Sequence, residues 1–396
     1  MDLSLPENKS SKDNSESQCS DLLYADFNQD YGCFSIGTES GFKIFNSDPF
    51  KQKMQTDFGA GIGNVTMLYR SNLLALVGGG KNPQFPPNKV MLWDDSTQKV
   101  TSELEFRASV VNVLLRKDLI IVCLRSKIIA CTFEPKPVKL HAFETYDNPK
   151  GIASLSTDSS NAVLVFPGRQ KGQIQVVELN TPTASSPISP PQSTNSSSPT
   201  AAISNSYPEV VKQAMKPANI NIIVAHTSPL SALSVSSDGT IVASASEKGT
   251  LIRVFSTSGG GVLLYELRRG VDRANIYSLS FCSDATRLCV SSDKGTVHIF
   301  NLEGDRNSTN NSSDQSAVAH NRGNRQSSFL KGILPKYFSS EWSFAHFRIQ
   351  SEVRCICGFT PNKDSVIVIC ANGVCEKYSV GGIEGKCTRE WSRRFI

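Results

Sequence analysis

Residues 230–258 read LSALSVSSDGTIVASASEKGTLIRVFSTS, and residues 276–303 read IYSLSFCSDATRLCVSSDKGTVHIFNLE. Each is an apolar strand, a polar turn around Asp238 or Asp284, a second strand, a Gly turn and a third strand. The two aspartates stand 46 positions apart. Short strands between turn residues at that period mark a four-stranded propeller blade, which takes about 40–45 residues.

Outward from this pair the pattern recurs at 24–48, 152–179 and 353–380, with looser copies at 65–95 and 110–134, giving seven units. Residues 1–18, 182–217 and 304–328 are polar, Ser/Pro/Thr-rich and Asn/Ser-rich, and lack the apolar content to offset the cost of ordering the backbone. Setting these aside leaves roughly 45 residues per unit. Amphipathic helical periodicity of convincing length is absent. The expected fold is all-β, a seven-bladed β-propeller of the WD-repeat type over 19–396 behind a disordered 1–18 tail. Disordered insertions are expected in blade 4 (182–217) and blade 6 (304–340). The first would lie between IQVVEL at 174–179 and NINIIVA at 219–225, the second between VHIFNL at 297–302 and WSFAHFRI at 342–349. Two smaller β-domains joined by 182–217 are the competing architecture, disfavoured because the repeat continues across that insert.

Several function classes drop out. Of 396 residues 39% are apolar, and no apolar run approaches the ~18–20 needed to span a bilayer. The opening MDLSLPENKSSKDNSES is polar and is not expected to act as a signal peptide, and Asp2 excludes N-myristoylation. The eleven cysteines include no CxxC and sit mostly in strand-like apolar runs, so buried, reduced thiols in a cytosolic protein are expected. The five histidines have no metal-ligand spacing, and HExxH, GxSxG and a helix-opening GxGxxG are all missing. Gly78-Gly79-Gly80-Lys81 resembles the end of a phosphate-binding loop, yet Ala75 and Asn82 break that pattern. Neither an enzyme nor a metal or other cofactor is expected, and a net charge of +5 does not by itself imply nucleic acid.

Leu267-Arg268-Arg269-Gly270 stands out, joining the last strand of blade 5 to the first of blade 6. Adjacent arginines near a strand end point to opposite sides, and each guanidinium suits a phosphate through paired, charge-assisted hydrogen bonds. Upstream are His226, Ser244, Ser246, Gly249, Thr250 and Arg253; downstream are Ser291, Ser292, Lys294, Gly295, Thr296 and His298. The turns SASEKGT and SSDKGT are near copies able to present hydroxyls and backbone N–H groups to an anion. The bland alternative is that these residues merely hold the blades together.

ASEKGTLIRVF, LRRG and SSDKGTVHIF together resemble the phosphoinositide-binding propellers called PROPPIN or WIPI proteins, whose hallmark is Phe/Leu-Arg-Arg-Gly. The similarity extends through LLYADFNQDYGCF, LALVGGGKNPQFPPNKVMLWDD, FETYDNPKG and LPKYFSSEWSF, and the resemblance is strongest to the third mammalian member of the WIPI type, with the fourth next. Leu267 stands where the commonest motif has Phe. The resemblance implies binding of phosphatidylinositol 3-phosphate and 3,5-bisphosphate at two rim sites. The first would use His226, Ser244, Ser246, Gly249, Thr250, Arg253 and Arg268; the second would use Arg269, Gly270, Ser292, Thr296 and His298, to which we add Lys294.

It also implies a blade-6 insertion that dips into the bilayer. Phe329, Leu330, Ile333 and Leu334, beside Lys331 and Lys336, suit an anionic membrane interface. Trp342 and Phe344 are instead expected to pack within the fourth strand of blade 6. Asn28 and Asp30 in FNQD resemble the segment through which the subgroup docks the lipid-transfer protein of autophagy, although Asn28-Gln29-Asp30 also reads as a plain hairpin turn. The resulting expectation is a monomeric cytoplasmic effector, peripheral on preautophagosomal, autophagosomal and endosomal or lysosomal membranes. A propeller scaffold for protein assembly without lipid binding is the competing reading.

Overall fold

A computed structural model describes residues 21–158, 160–179, 219–302, 340–350, 352–381 and 385–396. Within them lie seven sheets, each with four antiparallel strands taken in chain order, 22–57, 62–105, 110–144, 154–224, 230–268, 276–348 and 355–394, and the fifth carries a short parallel strand besides. The chain is a seven-bladed β-propeller, and no helix occurs among the described residues.

Burial explains the strand sequences. Second strands such as Leu119–Leu124 (LIIVCL) and Ser365–Cys370 (SVIVIC) are buried throughout, because both of their faces are covered by neighbouring blades. They therefore read as continuous apolar runs rather than as alternation. Outer strands such as Lys51–Asp57 and Lys99–Glu105 carry mostly exposed, polar residues. First strands face the axis and line a central cavity of about 620 Å³. Hydrogen bonds knit them around the ring, as where Thr66 Oγ1 donates to Val113 O at 3.0 Å and Ser280 Oγ to Cys357 O at 2.6 Å.

The polar turns form as their sequence requires. Asp238 Oδ1 accepts from Thr240 N at 3.0 Å, and Asp284 Oδ1 from Thr286 N at 3.2 Å, each carboxylate mimicking a backbone turn. All ten cysteines among the described residues are free, and burial pushes the Cys123 thiol up to about 12.

Among the described residues, closure of the ring uses side chains, since blades 1 and 7 are each one continuous piece of chain and share no sheet there. Phe34 and Phe45 of blade 1 pack on Ile367, Ile369 and Phe395 of blade 7, with the Phe34 and Phe395 rings 5.5 Å apart.

In blade 4 the third strand, Gln173–Glu178, pairs with Asn219–Val224. In blade 6 the third strand, Thr296–Asn301, pairs with Ala345–Arg348. The intervening residues 180–218 and 303–339 lie outside the described ones, as do residues 1–20. One expectation is corrected here. Trp342 does not belong to the fourth strand of blade 6. Glu341 and Trp342 pair in parallel with Leu267 and Arg268 on the outer edge of blade 5, where they meet backbone groups that an edge strand leaves open. Trp342 is 57% exposed there.

Candidate functional site at blades 5 and 6

Strand register splits the two arginines. Across blade 5, Ser244 stands opposite Arg253, Arg253 opposite Glu266, and Leu251 opposite Arg268. With a side-chain period of two, Ser244, Ser246, Arg253, Glu266 and Arg268 share the face of Leu233, Val242 and Phe255, which pack on blade 4. The other face, with Ile252, Val254 and Leu267, packs on blade 6. Arg269 follows the strand and turns to the blade 6 side. Its Nε donates to Gly249 O at 3.0 Å, Nη2 donates to Asp272 O, and its backbone N–H meets Thr250 O at 3.0 Å.

The first cluster gathers at the seam of blades 4 and 5. His226 Nε2 lies 3.0 Å from Ser244 Oγ. Burial first, then the positive charge of Arg253, pulls His226 down to about 4, so its ring is neutral at pH 7. Arg253 donates from Nη1 to Ala225 O at 2.6 Å, tying blade 5 to blade 4, and contacts Glu266 Oε2 through Nε and Nη2 at 2.9 Å each. Ser244, Ser246 and Arg268 are buried.

The second cluster forms between blades 5 and 6. Burial, then Arg269, then His346, lowers His298 to about 4. Burial also lowers the pKa of Arg269, while Asp293 and Asp272 oppose that shift. Ser292 is fully buried, and its Oγ accepts from Lys294 N at 3.5 Å. Lys294 is exposed and Thr296 half-buried on the same turn, with Gly295 at φ +65° between them. Gly270 has open space where a Cβ would sit.

Most residues expected at each site are therefore neighbours, with one difference. Gly249 and Thr250, expected with Arg268, offer their carbonyls to Arg269. The turn 247–250 lies against the loop after Arg269, so close that a Cβ on Gly249 would come within 1.8 Å of Ala274 O. Each cluster combines a guanidinium, a neutral histidine and hydroxyls, a donor set suited to a phosphate monoester. No metal-ligating cluster occurs among the described residues.

Sequence reasoning missed Glu266, Ser340 and Ser343. Arg268 Nε donates to Ser340 Oγ at 2.8 Å, and His298 Nδ1 lies 3.2 Å from Ser343 Oγ. The period-two pattern of ELRR places Glu266 on the face of Arg268, which was a readable signal. No local signal places the serines.

The remaining expectations fall elsewhere. Asn28 is buried and spent on its turn, donating to Tyr69 O at 3.2 Å and accepting from Cys33 N at 3.0 Å, so it is not a surface contact. Gln29 bridges three blades through Met67 O and Leu115 O, and Asp30 is exposed. Phe329, Leu330, Ile333 and Leu334 lie outside the described residues. Val271 (63% exposed) and Trp342 flank the arginines within three residues of chain or by direct strand pairing.

The PROPPIN family model matches residues 204–379. A protein of Pichia angusta, "SVP1-like protein 2", is 37% identical over 383 residues, covering 94% of this chain and 95% of its own. Among solved structures, Kluyveromyces lactis Hsv2 superposes with a TM-score of 0.69 at 23% identity, covering 95% of this chain and 99% of that one. A "Complex of KlAtg21 with coiled-coil of AgAtg16" gives 0.69 at 22% identity, covering 95% and 100%. With 37% identity sustained over nearly its whole length, the chain belongs to the PROPPIN family.

Proposed function

We propose that this protein is a non-catalytic phosphoinositide effector that reads phosphatidylinositol 3-phosphate and 3,5-bisphosphate through the two arginine clusters. The observation that carries this reading is the split of Arg268 and Arg269 to opposite faces of blade 5, each beside a neutral histidine and hydroxyls. One headgroup pocket alone gives marginal affinity, because a few hydrogen bonds to charge must outweigh the entropy of association. Two pockets on one rim gain avidity on a membrane. The apolar groups Phe329, Leu330, Ile333 and Leu334 of the blade-6 insertion would add bilayer contact. Exposed Val271 and Trp342 support a membrane on this side.

On this reading the protein is recruited from the cytoplasm to preautophagosomal, autophagosomal and endosomal or lysosomal membranes. It acts in autophagy within the subgroup of the third and fourth mammalian members. A lipid-transfer protein docks on the far side of the ring near Asp30. Docking of proteins on such a ring is supported by the coiled-coil complex of the related propeller.

Co-sedimentation with vesicles carrying phosphatidylinositol 3-phosphate tests the reading. Wild-type protein should pellet, and Arg268→Ala with Arg269→Ala should remain in solution. Indifference to both lipid and mutation would favour a protein-only scaffold.

A further inference from the structure

Four consecutive residues cross from blade 5 to blade 6 and touch both arginine clusters. Ser340 Oγ accepts from Arg268 Nε at 2.8 Å, with both side chains buried. Glu341 and Trp342 pair with Leu267 and Arg268. Ser343 Oγ lies 3.2 Å from His298 Nδ1. Beyond it the chain enters the fourth strand of blade 6 at Ala345, so the crossing is held at both ends.

We infer that Ser340 and Ser343 are positioning residues, one for each phosphate pocket, and that this crossing segment ties the two pockets into one unit. The inference rests on the lipid-binding reading above. A guanidinium presents five donors in one plane. A bond at Nε fixes the orientation of that plane, and with it the direction in which the Nη groups point. At His298 a hydroxyl that donates to Nδ1 keeps the ring proton on Nε2, the nitrogen left to donate to an anion. Because the ring is neutral at pH 7, that tautomer decides whether it can donate at all. Both serines thus act through another residue rather than on the lipid.

The experiment is calorimetric titration of the full chain with soluble dibutanoyl phosphatidylinositol 3-phosphate, in two backgrounds. In Arg269→Ala protein the first pocket alone remains, and Ser340→Ala should weaken binding by about five- to tenfold. In Arg268→Ala protein the second pocket alone remains, and Ser343→Ala should weaken binding by about three- to tenfold while Ser340→Ala changes nothing. Ser340→Thr and Ser343→Thr keep the hydroxyl and should hold affinity within about twofold, which decides the matter if either alanine variant folds poorly. An unchanged affinity for Ser340→Ala beside Arg269→Ala overturns the inference, as does an equal loss beside Arg268→Ala. Tighter binding, the mark of a blocking contact, overturns it too. Wild-type binding with unaffected serine variants sinks this inference alone; no binding by wild type sinks the lipid reading with it.

Discussion

Arg253 and Glu266 face each other on neighbouring strands of blade 5, with Glu266 Oε2 2.9 Å from both Nε and Nη2 of the guanidinium. The carboxylate thereby holds the donor edge that a phosphate would need at the first pocket. Glu266→Gln removes the competing charge and should tighten binding of soluble phosphatidylinositol 3-phosphate by about threefold or more. Titration in the Arg269→Ala background reads this directly. Arg253→Ala, which also loses the bond to Ala225 O, should lower folding stability by about 1–3 kcal/mol.

The two histidines set a pH dependence. Both sit near 4, below the ordinary histidine value of 6.5. The unfolded chain therefore binds more protons than the folded one between those values, and stability falls as pH drops through that window. The loss from pH 7 to pH 5 should be about 2 kcal/mol per histidine. Urea denaturation at several pH values checks it, and His226→Asn with His298→Asn should flatten the slope.

Gly249 offers a test of how tightly the central turn is fitted. Its φ is +62° and a Cβ would press on Ala274 O, so Gly249→Ala should cost about 3 kcal/mol and displace the carbonyl that holds Arg269. Gly270→Ala meets nothing within 4 Å and should change stability by less than about 0.5 kcal/mol. Thermal melts of the two variants separate the cases.

Trp342 is exposed while its backbone pairs with Arg268. Trp342→Ser keeps that pairing. It should reduce vesicle binding by about five- to tenfold and leave soluble headgroup affinity unchanged, since indole groups favour the membrane interface. Equal loss in both assays would place Trp342 in the headgroup pocket instead.

The blades were legible because their signals are local. SSDG and CSDA announce turns, and each turn's aspartate caps its own loop two residues on. Arg268 and Arg269 were legible for the same reason, as period two alone sends neighbours to opposite faces. The contacts that orient them were not. Ser340 reaches Arg268 across 72 positions of chain and an insertion without periodicity, and Ser343 reaches His298 across 45. Trp342 was misplaced because an aromatic residue before an apolar run reads as part of the strand, while parallel pairing with another blade leaves no trace in the sequence. Asn28 misled in the opposite sense, since a polar residue in a loop reads as surface although here it fills a turn.

The seam between blades 1 and 7 gives the molecule a property of its own. Every other junction between blades is also a covalent linker, whereas among the described residues this one is held by side chains, Phe34 packed against Phe395 and Lys377 Nζ 2.8 Å from Asp48 Oδ2. The ring is thus a linear stack whose two ends dock on each other like subunits of a dimer. Its first opening should occur there, with blades 6 and 7 between it and the seam that carries Arg268 and Arg269, so that breathing of the stack leaves the two arginine clusters intact. Hydrogen exchange should accordingly be faster in Gly41–Asn46 than in Leu251–Ser256, strands of equal length on either side of the ring.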